Sequence, residues 1–143
     1  MKNKLKILFL CTGNSCRSQM AEGWARHLKS DVIQAFSAGL EAHGLNLNAV
    51  KVMHEEGVDI TLQKSQRVEE VETIPFDIVI TVCGNADEHC PVFSCATTVL
   101  HHGFDDPPKL AQTAKTDEEA LGHYRRVRDE IRAFIETLPG GLH

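Results

Sequence analysis

The sequence predicts an α/β fold: a single three-layer domain, a four-stranded parallel sheet in the order 2-1-3-4, and helices on both faces. Three observations predict it. The segments Lys4 to Leu10 and Asp77 to Val82 are apolar at nearly every position, as strands buried on both faces of a parallel sheet are. Segments with helical periodicity alternate with the strands, which is the pattern of a sheet covered by crossover helices. The residues that carry chemistry follow strand ends: Cys11 after the first, Cys83 after the third, Asp105 and Asp106 after the fourth. Ligands of such sheets bind beyond the carboxyl ends of the strands, where the strand order reverses.

Taken in order, Lys4 to Leu10 is the first strand, and the polar loop Cys11 to Ser18 leads into a helix that begins near Ser15 to Arg17. Met20, Ala21, Trp24, Ala25 and Leu28 recur at helical spacing and carry that helix to about Lys29. Val32 to Phe36 reads as a second strand, with Ser37-Ala38-Gly39 as the turn leaving it. Asn48 is the expected cap of a second helix that bears Val50 and Met53 and ends at Gly57. Residues 58 to 75 are polar and poorly periodic. Asp77 to Val82 is the central strand and Thr97 to Leu100 a shorter fourth. Residues 108 to 116 read as a surface loop, after which Thr116-Asp117-Glu118-Glu119 forms a capping box. Tyr124, Val127, Ile131, Phe134 and Leu138 then line one face of a long last helix, stopped by Pro139-Gly140-Gly141.

A length of 143 residues with 42% hydrophobic content suits one domain spanning 1–143 with its own core. A formal charge of -5 leaves no basic stripe and argues against nucleic acid as a partner. The apolar core Ile7 to Leu10 is too short for a signal peptide, and no segment has the length of a membrane span. The expected setting is therefore a reducing cytoplasm, where Cys11, Cys16, Cys83, Cys90 and Cys95 stay thiols. Cys83, Cys90, His89, His101 and His102 lack the close spacing of a zinc site, so no metal is expected.

Cys11-Thr12-Gly13-Asn14-Ser15-Cys16-Arg17-Ser18 is the candidate site. A loop with Gly13 and Asn14 can turn successive backbone N–H groups inward, and a helix N-terminus adds its positive dipole end, which makes a nest for a tetrahedral oxyanion. Arg17 can fold back and clamp the anion with paired donors. Its charge and the aligned N–H groups predict that Cys11 is a thiolate, and Ser18 is placed to donate a hydrogen bond to it. Asp106, held extended by Pro107, can present a carboxyl group as a general acid, with Asp105 its adjacent competitor. Cys83 would face Cys11 across the crevice. On a helix, Cys83 and Cys90 would lie about 10.5 Å apart along the axis. A disulfide needs Cα atoms within roughly 4.4–6.8 Å, so the pair bonds only where the segment is a loop or unwinds.

With these residues in view, the chain resembles the thioredoxin-coupled arsenate reductases built on the low-molecular-weight tyrosine phosphatase fold. The likeness runs from Lys4 to about Phe134. It rests on the loop and its continuation Gln19-Met20-Ala21-Glu22-Gly23, on Ser37-Ala38-Gly39, on Thr81-Val82-Cys83 with Cys90-Pro91, on Gly103-Phe104-Asp105-Asp106-Pro107, and on Arg125 to Ile131. The resemblance implies a relay. Cys11 attacks arsenate held by the loop from Thr12 to Ser18 while Asp106 protonates the departing oxygen; Cys83 attacks Cys11 and releases arsenite; Cys90 attacks Cys83; reduced thioredoxin opens the last disulfide. It implies no bound cofactor, a monomer, and a role in arsenic detoxification. In some members a potassium ion sits beside the loop, held partly by an Asp and a Thr where this chain has Gln66 and Lys64, with Glu22 and Ser37 kept. The Lys64 ammonium is a candidate substitute for that ion. His102 stands where members often carry Trp, and Cys95 has no place in the relay. The alternative is a low-molecular-weight protein tyrosine phosphatase, for which Cys11, Arg17 and Asp106 suffice; it leaves Cys83 and Cys90 unexplained. A phosphate-sensing module would keep the loop and have no use for Cys83.

Overall fold

The computed structural model describes residues 4–93 and 96–140. Four strands, β1 (Leu5–Cys11), β2 (Ile33–Gly39), β3 (Ile78–Thr81) and β4 (Thr98–His101), form one parallel sheet in the order β2-β1-β3-β4. The helices are α1 (Arg17–Leu28), α2 (Leu47–Glu55), α3 (Gly84–Glu88), α4 (Pro107–Ala111) and α5 (Asp117–Glu136). This is the predicted α/β architecture. Consecutive residues Ile7, Leu8, Phe9 and Leu10 of β1 are each fully buried, so both faces of the central strand are covered. At the edge, β4 leaves Val99 exposed, as an edge strand does. Helix α1 packs on β1 and β2 and against α5, and α2 and α4 lean on α5. Trp24 of α1 anchors this layer, fully buried with its indole N–H donating to the Arg128 carbonyl. Among the described residues no helix is long and apolar enough to cross a membrane.

The structure differs from the sequence expectations in four places. Ser37, Ala38 and Gly39 are not a turn: they continue β2, with Phe9, Leu10 and Cys11 as their partners. Small residues are needed there because the strand runs directly beneath the candidate loop. The cap of α2 is Asn46, whose Oδ1 accepts from the N–H groups of Asn48 and Ala49, so Asn48 lies inside the first turn. Residues 107–111 form α4, with Pro107 at the first helical position, where its missing N–H costs no hydrogen bond. The expected capping box at α5 is half present. Thr116 accepts from Glu119 N–H, while the Glu119 carboxylate reaches the N–H of Lys115, one residue before the cap.

Gly39 shows how tightly β2 supports the loop. A Cβ there would stand 2.3 Å from Glu41 O, 2.7 Å from Asn14 N and 2.8 Å from Thr12 O, all backbone atoms that cannot swing aside. Gly39→Ala should therefore cost about 1–3 kcal/mol of stability, the usual penalty of overpacking. Urea denaturation measures it, and an unchanged midpoint would mean that the backbone spreads here without cost.

Candidate active site

The loop between β1 and α1 is built around Asn14. Its backbone takes a left-handed φ of 47°, its side chain is fully buried, and every polar atom on it has a partner. Nδ2 donates to Ser18 Oγ and Ser37 Oγ, each at 2.9 Å, and Oδ1 accepts from Gln66 N–H at 2.8 Å. The Asn14 carbonyl accepts from Gln19 Nε2 at 3.0 Å. Neighbouring carbonyls are tied to the segment that follows β2. Those of Cys11, Thr12, Gly13 and Ser15 accept from the N–H groups of Leu40, Glu41, His43 and Asn46 at 2.8–3.1 Å. With their carbonyls bound on that side, Gly13, Ser15 and Cys16 keep N–H groups that meet no protein acceptor among the described residues. The loop is thus a polarised ring of donors at the N-terminus of α1, suited to an oxyanion.

A cavity of about 370 Å³ opens over this ring, lined in part by Cys11, Arg17, His43, Asn46, Asp106 and Pro108. Arg17 folds back as expected: one guanidinium nitrogen donates to the Phe104 carbonyl at 3.0 Å and another lies 3.7 Å from Asp106 Oδ1. The two candidate acids separate cleanly. Asp106 caps α4 and faces the cavity, whereas Asp105 pairs with Arg126 at 2.8 Å on the outer surface. His102 packs 4.8 Å from the Phe104 ring and 4.1 Å from that of Phe134, bracing the segment that holds Arg17. Two wall residues were not anticipated. His43 lies so close over Gly13 that a Cβ there would be 2.3 Å from its Nδ1, and Nε2 is fixed by Glu41 at 2.7 Å. Asn46 caps α2 and also donates to the Tyr124 hydroxyl. The signal for Asn46 is its residue type, an asparagine two positions before the expected cap Asn48; none marked His43.

The thiols bear on the expected Cys11 thiolate. Cys11 and Cys83 are both buried and lie side by side at the ends of adjacent strands. Before an anion binds, the donors around this pair favour the charge on Cys83. Its sulfur receives the Cys11 S–H first of all; the Thr12 hydroxyl at 3.3 Å and the Ala86 N–H at 3.4 Å add to it, and together they hold its pKa at about 5. Cys11 is the donor of that bond and is deeply buried. Its pKa is pushed well above the usual thiol range, although Arg17 opposes the rise. Ser18 makes no hydrogen bond to Cys11; its oxygen instead accepts from Asn14. Burial drives the Cys16 thiol up to about 12. Burial, and then the charge of Asp87, raise Cys90. Cys11, Cys16, Cys83 and Cys90 are all free thiols. The short helix α3 separates Cys83 from Cys90, and Cys95 lies outside the described residues.

Residues 6–139 match the family model described as low molecular weight phosphotyrosine protein phosphatase. The chain belongs to this family. Similar curated proteins include arsenate reductases. That of Halalkalibacterium halodurans is 50% identical over 135 residues, covering 94% of this chain and 95% of that protein. That of Bacillus subtilis is 49% identical over 141 residues, covering 96% and 99%. Among solved structures, an arsenate reductase in the phosphate binding state superposes with a TM-score of 0.75 at 31% identity, covering 97% of this chain and 99% of that one. A low molecular weight protein tyrosine phosphatase from T. tengcongensis gives a TM-score of 0.75 at 24% identity and shares the fold.

The potassium position of this family does not fit an ion here. Ser37 Oγ donates to Glu22 at 2.6 Å, Arg26 donates to Glu22 at 2.7 Å, and Gln66 Nε2 donates to the Ser37 carbonyl at 3.0 Å. With Asn14 Oδ1 taken by the Gln66 N–H, the oxygens that would face a cation already face protein donors. Lys64 is not the substitute: its ammonium lies 3.2 Å from Glu70, and its side chain is 69% exposed. The donors at this position are Arg26 and the Gln66 amide groups.

The charge assignment has a direct readout. A group with a pKa of about 5 is ionised at neutral pH and loses its charge as pH falls through that value. On acidification, the ultraviolet thiolate absorbance should therefore drop by one equivalent with a midpoint near pH 5, and the step should vanish in Cys83→Ser. Persistence of the step in Cys83→Ser and its loss in Cys11→Ser would return the charge to Cys11.

Proposed function

We propose that this protein reduces arsenate to arsenite by a three-thiol relay that a dithiol protein of the thioredoxin class resets. The observation that carries the reading is a second buried thiol, Cys83, placed beside Cys11 by adjacent strands at an anion-binding ring. A phosphatase needs the ring, Arg17, one nucleophile and an acid; it gains nothing from a second ionised thiol at the nucleophile. The arsenate reductase relatives, alike over nearly the whole chain, support the same reading.

In this scheme the oxyanion enters between the loop N–H groups and Arg17. Cys11 gives its proton to Cys83 as its sulfur bonds to arsenic, and Asp106 protonates the oxygen that leaves as water. Cys83 then passes its proton to an arsenic-bound oxygen and attacks Cys11 Sγ. The S–S bond forms, the S–As bond breaks, and its electron pair stays on arsenic, which departs as arsenite. Cys90 attacks Cys83 Sγ and expels Cys11 as a thiol. The Cys83–Cys90 disulfide is left for the external dithiol. No bound cofactor is required. Free thiols of this kind persist in the cytoplasm, where we place a monomeric enzyme in arsenic detoxification.

Cys90→Ser tests the relay. The variant should reduce about one arsenate per molecule and then stall with Cys11 joined to Cys83, as peptide mapping would identify. Continued cycling at the wild-type rate would sink the three-thiol scheme. For the acid, Asp106→Asn should slow the first step roughly 10²–10⁴-fold with little loss of anion affinity, while Asp105→Asn, remote in its pair with Arg126, should do far less. The opposite ranking would transfer the role to Asp105.

A further inference from the structure

Asn85, in the first turn of α3, reaches out of its helix to the anion loop. Its Nδ2 donates to Thr12 Oγ1 at 3.0 Å, and the same oxygen lies 3.3 Å from Cys83 Sγ. A hydroxyl owns one proton and two lone pairs. Left alone between an amide and a sulfur, the Thr12 hydroxyl could accept from a Cys83 S–H as readily as donate to a Cys83 thiolate. The amide of Asn85 biases that choice. By donating into Thr12 Oγ1 it occupies one of the two lone pairs and turns the hydroxyl proton away from itself, toward the sulfur, and a sulfur that receives a proton donor is stabilised in its charged form.

Resting on the relay read above, we propose that Asn85 is a positioning residue: it fixes the Thr12 hydroxyl as a donor and so keeps Cys83 the thiolate that attacks Cys11. The remaining groups that face Cys83 are accounted for. Cys11 and Arg17 approach from the loop and α1, and the Ala86 N–H comes from α3 itself. Asn85 is anchored by its own backbone, since its carbonyl accepts from His89 N–H at 3.1 Å and lies 3.0 Å from His89 Nδ1. The side chain is therefore in place only while α3 is folded. Any unwinding that brings Cys90 to Cys83 carries Asn85 away from Thr12, so the device acts in the step where Cys83 is the nucleophile and lapses once Cys83 is attacked.

The test is the thiolate titration of Cys83 in the full-length enzyme, read as the difference from a matched Cys83→Ser control. Asn85→Ala should move the midpoint upward by about one pH unit, a tenfold loss of thiolate on the acid side. Asn85→Asp should move it further, because a carboxylate takes the Thr12 proton for itself. In a Thr12→Val background, which lacks the hydroxyl, Asn85→Ala should add no shift. An unmoved midpoint in Asn85→Ala overturns the proposal. So does an equal shift with and without the Thr12 hydroxyl, which would mean that Asn85 acts through helix packing alone. The relay can fail on its own, through a Cys90→Ser enzyme that cycles normally, and that result would leave this titration unchanged.

Discussion

A buried asparagine in a left-handed backbone conformation is the constraint on which the site depends. A non-glycine residue there carries about 1–3 kcal/mol of strain. Asn14 offsets it with three side-chain hydrogen bonds, two of them to the fully buried Ser18 and Ser37, and leaving such buried groups unpaired would cost about 1–3 kcal/mol each. Its partners belong to α1, to β2 and to the segment after residue 65, so one side chain joins three separate parts of the chain. Alanine at this position would lose all three bonds and keep the strain. The reversal of backbone direction at Asn14 is also what lets the carbonyls of the loop bind residues 40–46 while its N–H groups remain available to a ligand.

That ring of donors decides where negative charge can sit. The protein is acidic as a whole, with a formal charge of -5, so an oxyanion is drawn in by a local field made from N–H groups and Arg17. Two thiols compete for the same stabilisation before any anion arrives. Both are buried and both lie near Arg17, and Cys83 has in addition the Thr12 hydroxyl and the Ala86 N–H beside it. Hydrogen bonds to the charged form of a thiol and a nearby positive charge both favour that form.

Much of this was legible in the sequence because the relevant features are local. The apolar run of β1 follows from burial on both faces, and Cys11 to Arg17 is a contiguous strand–loop–helix junction. The positions of Asp106 and Cys83 at strand ends follow from the sheet order. What escaped was non-local or carried by the backbone. The bonds from residues 40–46 to the loop are made by N–H and C=O groups, which any residue possesses. Ser37-Ala38-Gly39 has the composition of a turn, but its small residues answer instead to backbone atoms 2.3–2.8 Å from where a Cβ would be. The partners of Ser18 and Lys64, Asn14 and Glu70, were not legible either, because the folded loop sets both contacts. The displaced charge on Cys83 depends on Thr12, seventy-one positions away in sequence, and no local pattern announces that contact.

The sheet register explains why that contact exists at all. In the parallel pairing of β1 with β3, Leu10 is level with Thr81. Continued two residues past the last pair, the same register sets Thr12 opposite Cys83, and Thr12 Oγ1 is indeed 3.3 Å from its sulfur. Neighbouring strands are about 4.8 Å apart, so inserting one further strand between β1 and β3 would roughly double the gap and put the two thiols out of bonding range. The fold is shared with a phosphatase structure, and in this chain a cysteine at position 83 turns the register of β1 and β3 into a pair of neighbouring thiols. A relay between Cys11 and Cys83 thus requires no new backbone; it requires one side chain at the position that the sheet already brings to the nucleophile, and donors enough to keep it ionised there.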